Sequence, residues 1–241
     1  MNNPTTPSVN TQKIEETEKF FNQWRIYQQI IHKNYMVHQQ IITAYQQFIE
    51  NNITQKFSVL DLGCGDAFLA VQLLKQSAAT HYTGIDVSTT ALQQAKTNFN
   101  DINIEKQFIC NDLSDAIRNS GKQFDIVLAG YSIHHLKSSE KNTFFAHCYS
   151  TLKPDGHLLM YDIISEAGET REQCLQRHWN IYNQWDLDES DKRLVKEHIF
   201  AQDYAESLGQ LKAFALKQGF TKTECLFTDA NKLFSAFSFQ K

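Results

Sequence analysis

From residue 57 onward, short apolar runs alternate with segments in which apolar residues recur at helical spacing. This alternation predicts parallel strands joined by crossover helices. The predicted strands of this series cover 57–62, 82–87, 104–110, 124–131 and 157–163. Two further apolar runs, about 220–227 and 232–239, predict an antiparallel hairpin. We therefore expect a doubly wound α/β fold, with a mostly parallel seven-stranded sheet whose last strand is antiparallel.

The chain before this series has a different pattern. Residues 1–12 hold two prolines, several Asn and Thr residues and little to bury, which predicts a disordered leader. Residues 13–55 contain no Pro or Gly and carry aromatic and aliphatic residues at helical spacing, so we expect an N-terminal helical cap of two helices that breaks near Asn34. The α/β domain is then expected to occupy 56–241.

The predicted domain contains one long polar insertion, at about 165–204. This segment is rich in Glu, Gln and Arg, and Trp179, Tyr182 and Trp185 recur in it at intervals of three. Such a pattern predicts helices rather than sheet. Its place after the fifth strand makes it a candidate lid over a ligand site.

Composition narrows the possible partners. The chain carries 23 Lys and Arg residues against 27 Asp and Glu residues, a formal net charge of −4, which disfavours a nucleic-acid partner. Its five cysteines include no C-x-x-C pair, so neither a disulfide framework nor a zinc knuckle is predicted. No run is long and apolar enough to cross a membrane, and we expect a protein of the cytoplasm.

The strongest local motif is the turn after the first predicted strand, in VLDLGCGDAF at 59–68. Gly63 and Gly65 lack a Cβ, so the backbone can bend tightly and approach a ligand. Asp86 ends the second strand, at the position where doubly wound nucleotide-binding folds place an acid against ribose hydroxyls. Asp112 ends the third strand and is expected at the same crevice. The alternative for both aspartates is a structural turn or cap.

In four segments taken in order, the chain resembles the Rossmann-type (class I) S-adenosylmethionine-dependent methyltransferases of the small-molecule methyltransferase domain type. The segments are VLDLGCGDAF at 59–68, YTGIDVS at 82–88, FDIVLAGYSIHHL at 124–136 and LKPDGHLLMYD at 152–162. The terminal strand pair also resembles the reversed last hairpin of that family. The resemblance implies methyl transfer from S-adenosyl-L-methionine to a small-molecule acceptor, with S-adenosyl-L-homocysteine as the product.

The resemblance also assigns roles to residues at the carboxyl ends of the strands. By it, Asp61 meets the ammonium group of the cofactor directly or through a water, Asp86 holds the ribose, and Val87 packs beside the adenine. Asp112 and the backbone of Leu113 read the adenine edge. The full set implied in cofactor binding is Asp61, Gly63, Gly65, Asp86, Val87, Asp112, Leu113, Ala129 and Gly130.

The sequence is less specific about the residues that act on the methyl acceptor than about those that bind the cofactor. Oxygen and amine acceptors need a base, and histidine titrates in the useful range. His134 and His135, with Tyr131 just upstream, follow the fourth strand and are the candidate catalytic residues. A structural role for the two histidines is the alternative, and an adjacent pair alone predicts no metal site. The N/D-P-P-Y motif is missing after this strand, which argues against glutamine and adenine-N6 acceptors.

Three other functions compete with methylation of a small molecule. A methyltransferase acting on protein or RNA is disfavoured by the mild acidity of the chain. A cofactor-binding regulator without catalysis would keep the same glycines and Asp86. A nicotinamide oxidoreductase is disfavoured because Phe68 stands where the dinucleotide motif requires a small residue, and because the chain has a terminal strand hairpin.

Overall fold

The computed structural model describes residues 24–111 and 123–241. The chain forms two compact units, Met1–His38 and Gln39–Lys241. In the described part of the first unit, residues 24–32 are helical, and the rings of Trp24 and Tyr27 lie 5.4 Å apart. Asn34 follows with a φ of 53°, a left-handed conformation that interrupts helices. The predicted break near Asn34 is confirmed, whereas the predicted leader lies outside the described residues.

The second unit is built on a sheet. Its strands are β1 Phe57–Leu62, β2 Ala79–Asp86, β3 Glu105–Cys110, β4 Phe124–Gly130, β5 Leu152–Ser165, β6 Glu206–Ser207, β7 Lys222–Thr228 and β8 Phe234–Gln240. The main path has the order β3-β2-β1-β4-β5-β8-β7, and the short β6 pairs with β5 beside it. All pairings are parallel except those of β8, which runs antiparallel to both β5 and β7. The predicted fold class is confirmed.

Helix α1, His38–Asn52, precedes the sheet, and further helices connect its strands. These are α2 Phe68–Leu74, α3 Thr89–Asn98, α4 Ser138–Thr151, α5 Arg171–Tyr182, α6 Glu189–Gln202 and α7 Leu208–Gln218, with a 3-10 turn at Ile133–His135. The Ser88 hydroxyl accepts a hydrogen bond from the Ala91 amide at 3.1 Å and caps α3. Gly219 ends α7 with a φ of 101°, as glycine at this position usually does. Helices α5 and α6 lie in the predicted insertion.

The core explains why the strands are nearly continuous apolar runs. Parallel strands covered by helices on both faces expose neither face to water. Accordingly β1 and β4 are buried along almost their whole length. The main cluster joins β4, β5 and β8 to α4 and α7, where Phe145 packs edge-on against Phe239 with ring centroids 5.2 Å apart. This core fixes the strand ends on which the candidate site depends.

The sheet reverses its winding direction at β1. Strand β2 lies on one side of β1 and β4 lies on the other, and both run parallel to it. The connections that leave the carboxyl ends of β1 and β4 therefore diverge. In open α/β sheets this divergence opens a crevice in which ligands bind.

The structure corrects the predicted boundaries of the fifth strand. The predicted turn Lys153-Pro154-Asp155-Gly156 lies inside β5, which begins at Leu152. Pairing with β4 passes from Phe124↔Leu152 directly to Ile126↔His157, so the predicted turn forms an irregularity within the strand. Asp155 takes up this local bend with a φ of 60°. Turn residues thus marked a real bend without ending the strand.

Among the residues that the structure describes, no helix combines the length and apolar character that a membrane crossing requires.

Gly130 gives a direct test of packing at the end of β4. A methyl group at this position would lie 1.8 Å from Cζ of Tyr161. We therefore expect Gly130→Ala to lower the free energy of unfolding by about 1–3 kcal/mol in urea denaturation, because the ring has to shift.

The matched control is Gly209→Ala in α7, where the nearest atom to the added methyl group is Oγ of Ser207 at 3.9 Å. Its stability should stay within about 0.5 kcal/mol of the parent or rise slightly, since alanine favours helices. Equal stability of both variants would contradict the close packing of Tyr161 on Gly130.

Candidate functional site

The turn after β1 has a left-handed backbone at alternate positions. Gly63, Gly65 and Ala67 have φ angles of 69°, 54° and 58°. The amides of Gly63 and Cys64 both donate to the Ile85 carbonyl of β2, at 2.8 and 2.9 Å. A Cβ on Gly65 would meet no atom within 4 Å, so open space adjoins the backbone at this point. The turn can therefore accept a ligand directly against its main chain.

Asp86 ties this turn to the end of β2. One carboxylate oxygen accepts the Gly65 amide at 2.8 Å, and the other accepts the Ser88 amide at 2.8 Å. Asp86 thus has the structural role that the sequence left as its alternative. Each carboxylate oxygen has two lone pairs, so both can still accept a hydroxyl group. The two roles are compatible at this position.

Asp61 is buried beside the same turn. Its carboxylate accepts a hydrogen bond from the hydroxyl of the buried Tyr82 at 2.8 Å. Burial, and to a smaller extent the neighbouring Asp86, raises the pKa of Asp61 from 3.8 to about 7, against the opposing effect of the Tyr82 hydrogen bond. A buried acid that titrates near neutrality responds strongly to any cation placed next to it.

The other predicted cofactor residues are placed as follows. Val87 is 69% exposed, and an exposed large apolar side chain at the end of β2 suits a ligand that would cover it. The side chain of Ala129 is fully buried in the core, so only its backbone can face a ligand. Gly130 is half-buried against Tyr161. Asp112 and Leu113 lie outside the described residues.

The two candidate histidines differ sharply in their surroundings. His134 is buried, and its Nδ1 lies 2.5 Å from a carboxylate oxygen of Asp162, whose other oxygen accepts the His134 amide at 2.9 Å. The side chain of His135 is 37% exposed. Burial, helped by His134 and His198, lowers the pKa of His135 from 6.5 to about 4. Asp162 therefore holds His134 in place, whereas His135 is only partly exposed and is neutral at pH 7.

Sequence reasoning missed the acidic residue that faces both histidines. Asp203 follows α6, and one of its carboxylate oxygens lies 3.8 Å from Nε2 of His134 and 3.6 Å from Nδ1 of His135. His198, one turn earlier, packs edge-on against His135 with ring centroids 5.2 Å apart. No local sequence motif predicts the contact of Asp203 with the histidines, because this contact joins the insertion to the turn after β4. Asp162, in contrast, could have been suspected as an acid near the carboxyl end of its strand.

Tyr131 lies within an aromatic cluster. It has a φ of 45°, and its ring contacts Tyr161 and Phe234 edge-on, with centroids 4.9 and 5.9 Å away. Burial raises the pKa of Tyr131 well above its usual value. The phenol therefore stays neutral at physiological pH, where it can donate a hydrogen bond or form an apolar wall.

Two arginines of the insertion, Arg171 and Arg177, are engaged within the protein. Arg177 forms a pair of hydrogen bonds with the Glu169 carboxylate, at 2.8 and 2.9 Å. Arg171 donates to the backbone carbonyls of Phe200 and Asp203, both at 2.8 Å. These bonds fix the insertion against the loops around it.

A comparison with protein families matches residues 59–156 to the family described as "Methyltransferase domain". This segment runs from β1 to the bend in β5 and contains the left-handed turn, Asp86 and both candidate histidines.

Individual relatives extend the match. A demethylmenaquinone methyltransferase of Leptospira interrogans is 29% identical over 164 residues, which cover 64% of this chain and 59% of that protein. A carboxy-S-adenosyl-L-methionine synthase of Shewanella loihica is 24% identical over 91% of this chain and 92% of its own length. The chain thus spans less than two thirds of the first of these relatives.

The fold also matches solved structures. Magnesium protoporphyrin IX methyltransferase from Synechocystis PCC 6803, solved with bound SAH, superposes with a TM-score of 0.64 at 15% identity, over 93% of this chain and 94% of that one. At this identity the likeness concerns the fold alone.

The raised pKa of Asp61 predicts the pH dependence of stability. Between about pH 4 and 7 the folded state keeps a proton that the unfolded state has lost, so the free energy of unfolding falls as the pH rises. The contribution is at most about 4 kcal/mol, at about 1.4 kcal/mol per pH unit. We expect Asp61→Asn to flatten this part of the stability curve in urea titrations at pH 4.5 and 7.5.

The matched control is Asp125→Asn. The Asp125 carboxylate accepts hydrogen bonds from Lys153 and Ser58, which lower its pKa although partial burial opposes them. Its loss should lower stability by the same amount at pH 4.5 and pH 7.5, and so leave the slope between them unchanged. If Asp61→Asn kept the full decline between pH 4.5 and 7.5, the assignment of that decline to Asp61 would be wrong.

Proposed function

Because residues 59–156 match the methyltransferase domain family, within a class I Rossmann-like fold, we propose that this chain is an S-adenosylmethionine-dependent methyltransferase acting on a small-molecule acceptor. The observation that carries the proposal is the left-handed turn at Gly63 and Gly65, braced by Asp86 where the sheet reverses direction. This is where open α/β sheets bind nucleotide ligands.

The described residues fit the proposed cofactor. Open space adjoins Gly65, Asp86 keeps lone pairs for ribose hydroxyls, and the exposed Val87 offers an apolar contact for adenine. Asp61 supplies a carboxylate for the ammonium group of the methionine part. When bound, the cofactor would supply an electrophilic methyl group on a sulfonium.

The main contribution of the protein to the reaction is then to position the acceptor against the methyl group of the cofactor. Methyl transfer requires the nucleophile about 3 Å from the methyl carbon and in line with the breaking bond, in a site that excludes water. Helices α5 and α6 of the insertion are proposed to close the site, and Tyr131 to form its wall. His134 and His135 stay predicted catalytic residues, and the acceptor atom can be oxygen, nitrogen or sulfur.

The aromatic wall favours a planar or partly apolar acceptor. Tyr131, Tyr161 and Phe234 place three rings in contact beside the end of β4. Apolar and aromatic linings with few polar groups are typical of small-molecule sites. The methyltransferase from Leptospira interrogans, named for demethylmenaquinone, supports the same acceptor class. The formal net charge of −4 argues against a nucleic-acid acceptor.

A second candidate function comes from the relative that aligns over 91% of this chain, whose name states that it makes carboxy-S-adenosyl-L-methionine. That product requires a carboxylated cofactor rather than a methylated acceptor. Arginine is the usual partner of a carboxylate donor, but Arg171 and Arg177 already bind protein groups. Mass spectrometry of the spent cofactor separates the two functions, since methyl transfer leaves S-adenosylhomocysteine.

Calorimetry tests the cofactor. We expect S-adenosylmethionine and S-adenosylhomocysteine to bind and NAD not to bind. Asp86→Ala should weaken cofactor binding by about 1–3 kcal/mol, because it removes the acceptor of the ribose hydroxyls. Asp101→Ala, in the exposed turn after α3, is the control and should leave the affinity unchanged. Selective binding of NAD would refute the proposal.

Proton release tests the contact with Asp61. A cation beside this carboxylate lowers its pKa from about 7, so binding at pH 6.5 should release most of one proton. The binding enthalpy of S-adenosylmethionine will then vary with the ionisation enthalpy of the buffer, and Asp61→Asn should abolish this variation. The same buffer dependence in the variant would place the titrating group elsewhere.

A further inference from the structure

We propose that His134, His135 and Asp203 form a binding site for one divalent transition-metal ion, with Zn²⁺ as the best match to the ligand set. One ligand atom from each residue lies within 4.8 Å of the other two. The site joins the 3-10 turn after β4 to the residue that follows α6. Its three ligands are different residues from those of the proposed cofactor-binding turn.

The first support is an unused carboxylate oxygen. The side chain of Asp203 is 3% exposed, and one of its oxygens has no hydrogen-bond partner within residues 24–111 and 123–241. Burying a carboxylate oxygen without a hydrogen bond costs free energy, and a cation bound beside it would offset that cost. This oxygen is the one that faces both histidines.

The second support is the spacing of the ligand atoms. The oxygen of Asp203 lies 3.8 Å from Nε2 of His134 and 3.6 Å from Nδ1 of His135, too far for direct hydrogen bonds. Around a tetrahedral Zn²⁺ with bonds of about 2.0–2.2 Å, neighbouring ligand atoms lie about 3.4 Å apart. The Asp203 oxygen would approach each nitrogen by a few tenths of an ångström, and the two histidine nitrogens, which lie within 4.8 Å of each other, would approach by up to about 1.4 Å.

The third support is the way His134 is held. The Asp162 carboxylate forms hydrogen bonds with Nδ1 of His134 at 2.5 Å and with the backbone amide of His134 at 2.9 Å. The other ring nitrogen of His134, Nε2, is then directed to Asp203. Carboxylate–histidine–metal arrangements of this kind orient the ring and strengthen the ligand. Asp162 is thus a positioning residue of the proposed site.

The backbone and the local charges also favour a cation. The Tyr204 amide donates to the His134 carbonyl at 2.7 Å and so joins the two segments that supply the ligands. Lys141, the nearest buried ammonium, binds the Tyr204 carbonyl and contacts Glu206, and Arg171 binds backbone carbonyls. Two buried carboxylates, Asp162 and Asp203, therefore face the histidines.

The ligand number indicates the kind of site. Two imidazoles and one carboxylate leave a fourth position open, as in zinc sites that bind water or substrate. His198 packs against His135 at 5.2 Å between ring centroids and is the side chain placed to influence that position. A closed structural site would require a fourth protein ligand.

The test uses the full chain after treatment with a chelator. We expect uptake of one Zn²⁺ per chain by calorimetry, a higher thermal midpoint with Zn²⁺ present, and the visible absorption of tetrahedral Co²⁺ without a thiolate charge-transfer band. His135→Ala and Asp203→Asn should each weaken Zn²⁺ binding at least tenfold. Asp162→Asn should weaken it about 10–100-fold, as changes of outer-shell partners usually do.

The matched control is His81→Ala. His81 and Glu105 form an exposed histidine–carboxylate pair at 3.0 Å, so this variant should bind Zn²⁺ as the parent does. Circular dichroism confirms that each variant is folded. The proposal is overturned by absence of Zn²⁺ uptake, by uptake unchanged in both His135→Ala and Asp203→Asn, or by thiolate bands from Co²⁺. None of these results would alter the binding of S-adenosylmethionine at Asp86.

Discussion

The candidate site depends on a short stretch of left-handed backbone held against the second strand. Gly63, Gly65 and Ala67 adopt positive φ angles, and alanine does so only at an energetic cost. The Ile85 carbonyl and the Asp86 carboxylate offset this cost, because they accept hydrogen bonds from three backbone amides of the turn. Because those acceptors lie at the carboxyl end of a buried parallel strand, the core of the sheet fixes the shape of the turn.

The same bracing explains why structural and binding roles coincide at Asp86. A side chain that only capped the turn would be satisfied by its two amides, and a side chain that only bound a ligand would need another group to orient it. Asp86 bonds Gly65 and Ser88 through different oxygens and so is oriented before any ligand arrives. Such preorganisation lowers the entropic cost of binding.

Most of the fold could be predicted from the sequence, because parallel strands buried on both faces leave continuous apolar runs. Strand β1 was predicted at the residues where it is observed, and Ser88 and Gly219 end their helices as local chemistry requires. Local signals failed where a distant partner decides the outcome. Strand β5 continues through Asp155 because β4 lies alongside it, and β6 exists only through its pairing with β5.

The residues of the candidate site differ in the same way: local motifs predict some of them, and long-range contacts place the others. The glycines and Asp86 lie in local motifs whose chemistry can be inferred from spacing alone. Asp203 is 68 positions from His135, and long-range bonds such as that of the Tyr204 amide to the His134 carbonyl bring its carboxylate to the histidines. No periodicity in the sequence of α6 encodes that contact. Long-range contacts of this type become visible only in the folded chain.

The carboxyl edge of the sheet concentrates buried acids on both sides of its switch point. Asp61 lies beside the first turn and Asp203 beside the histidines, and burial is the largest cause of the raised pKa of each carboxyl, to about 7 and about 6 respectively. The hydrogen-bond partner of Asp61 is a phenol, and the charges that lower the pKa of Asp203, His134 first, only partly offset the effect of its burial. A sheet edge with buried carboxyl groups favours ligands that carry positive charge, because a cation bound beside a carboxylate offsets the free-energy cost of burying it. A sulfonium nucleoside and a divalent metal ion both meet this condition, and they would do so at separate positions along one edge.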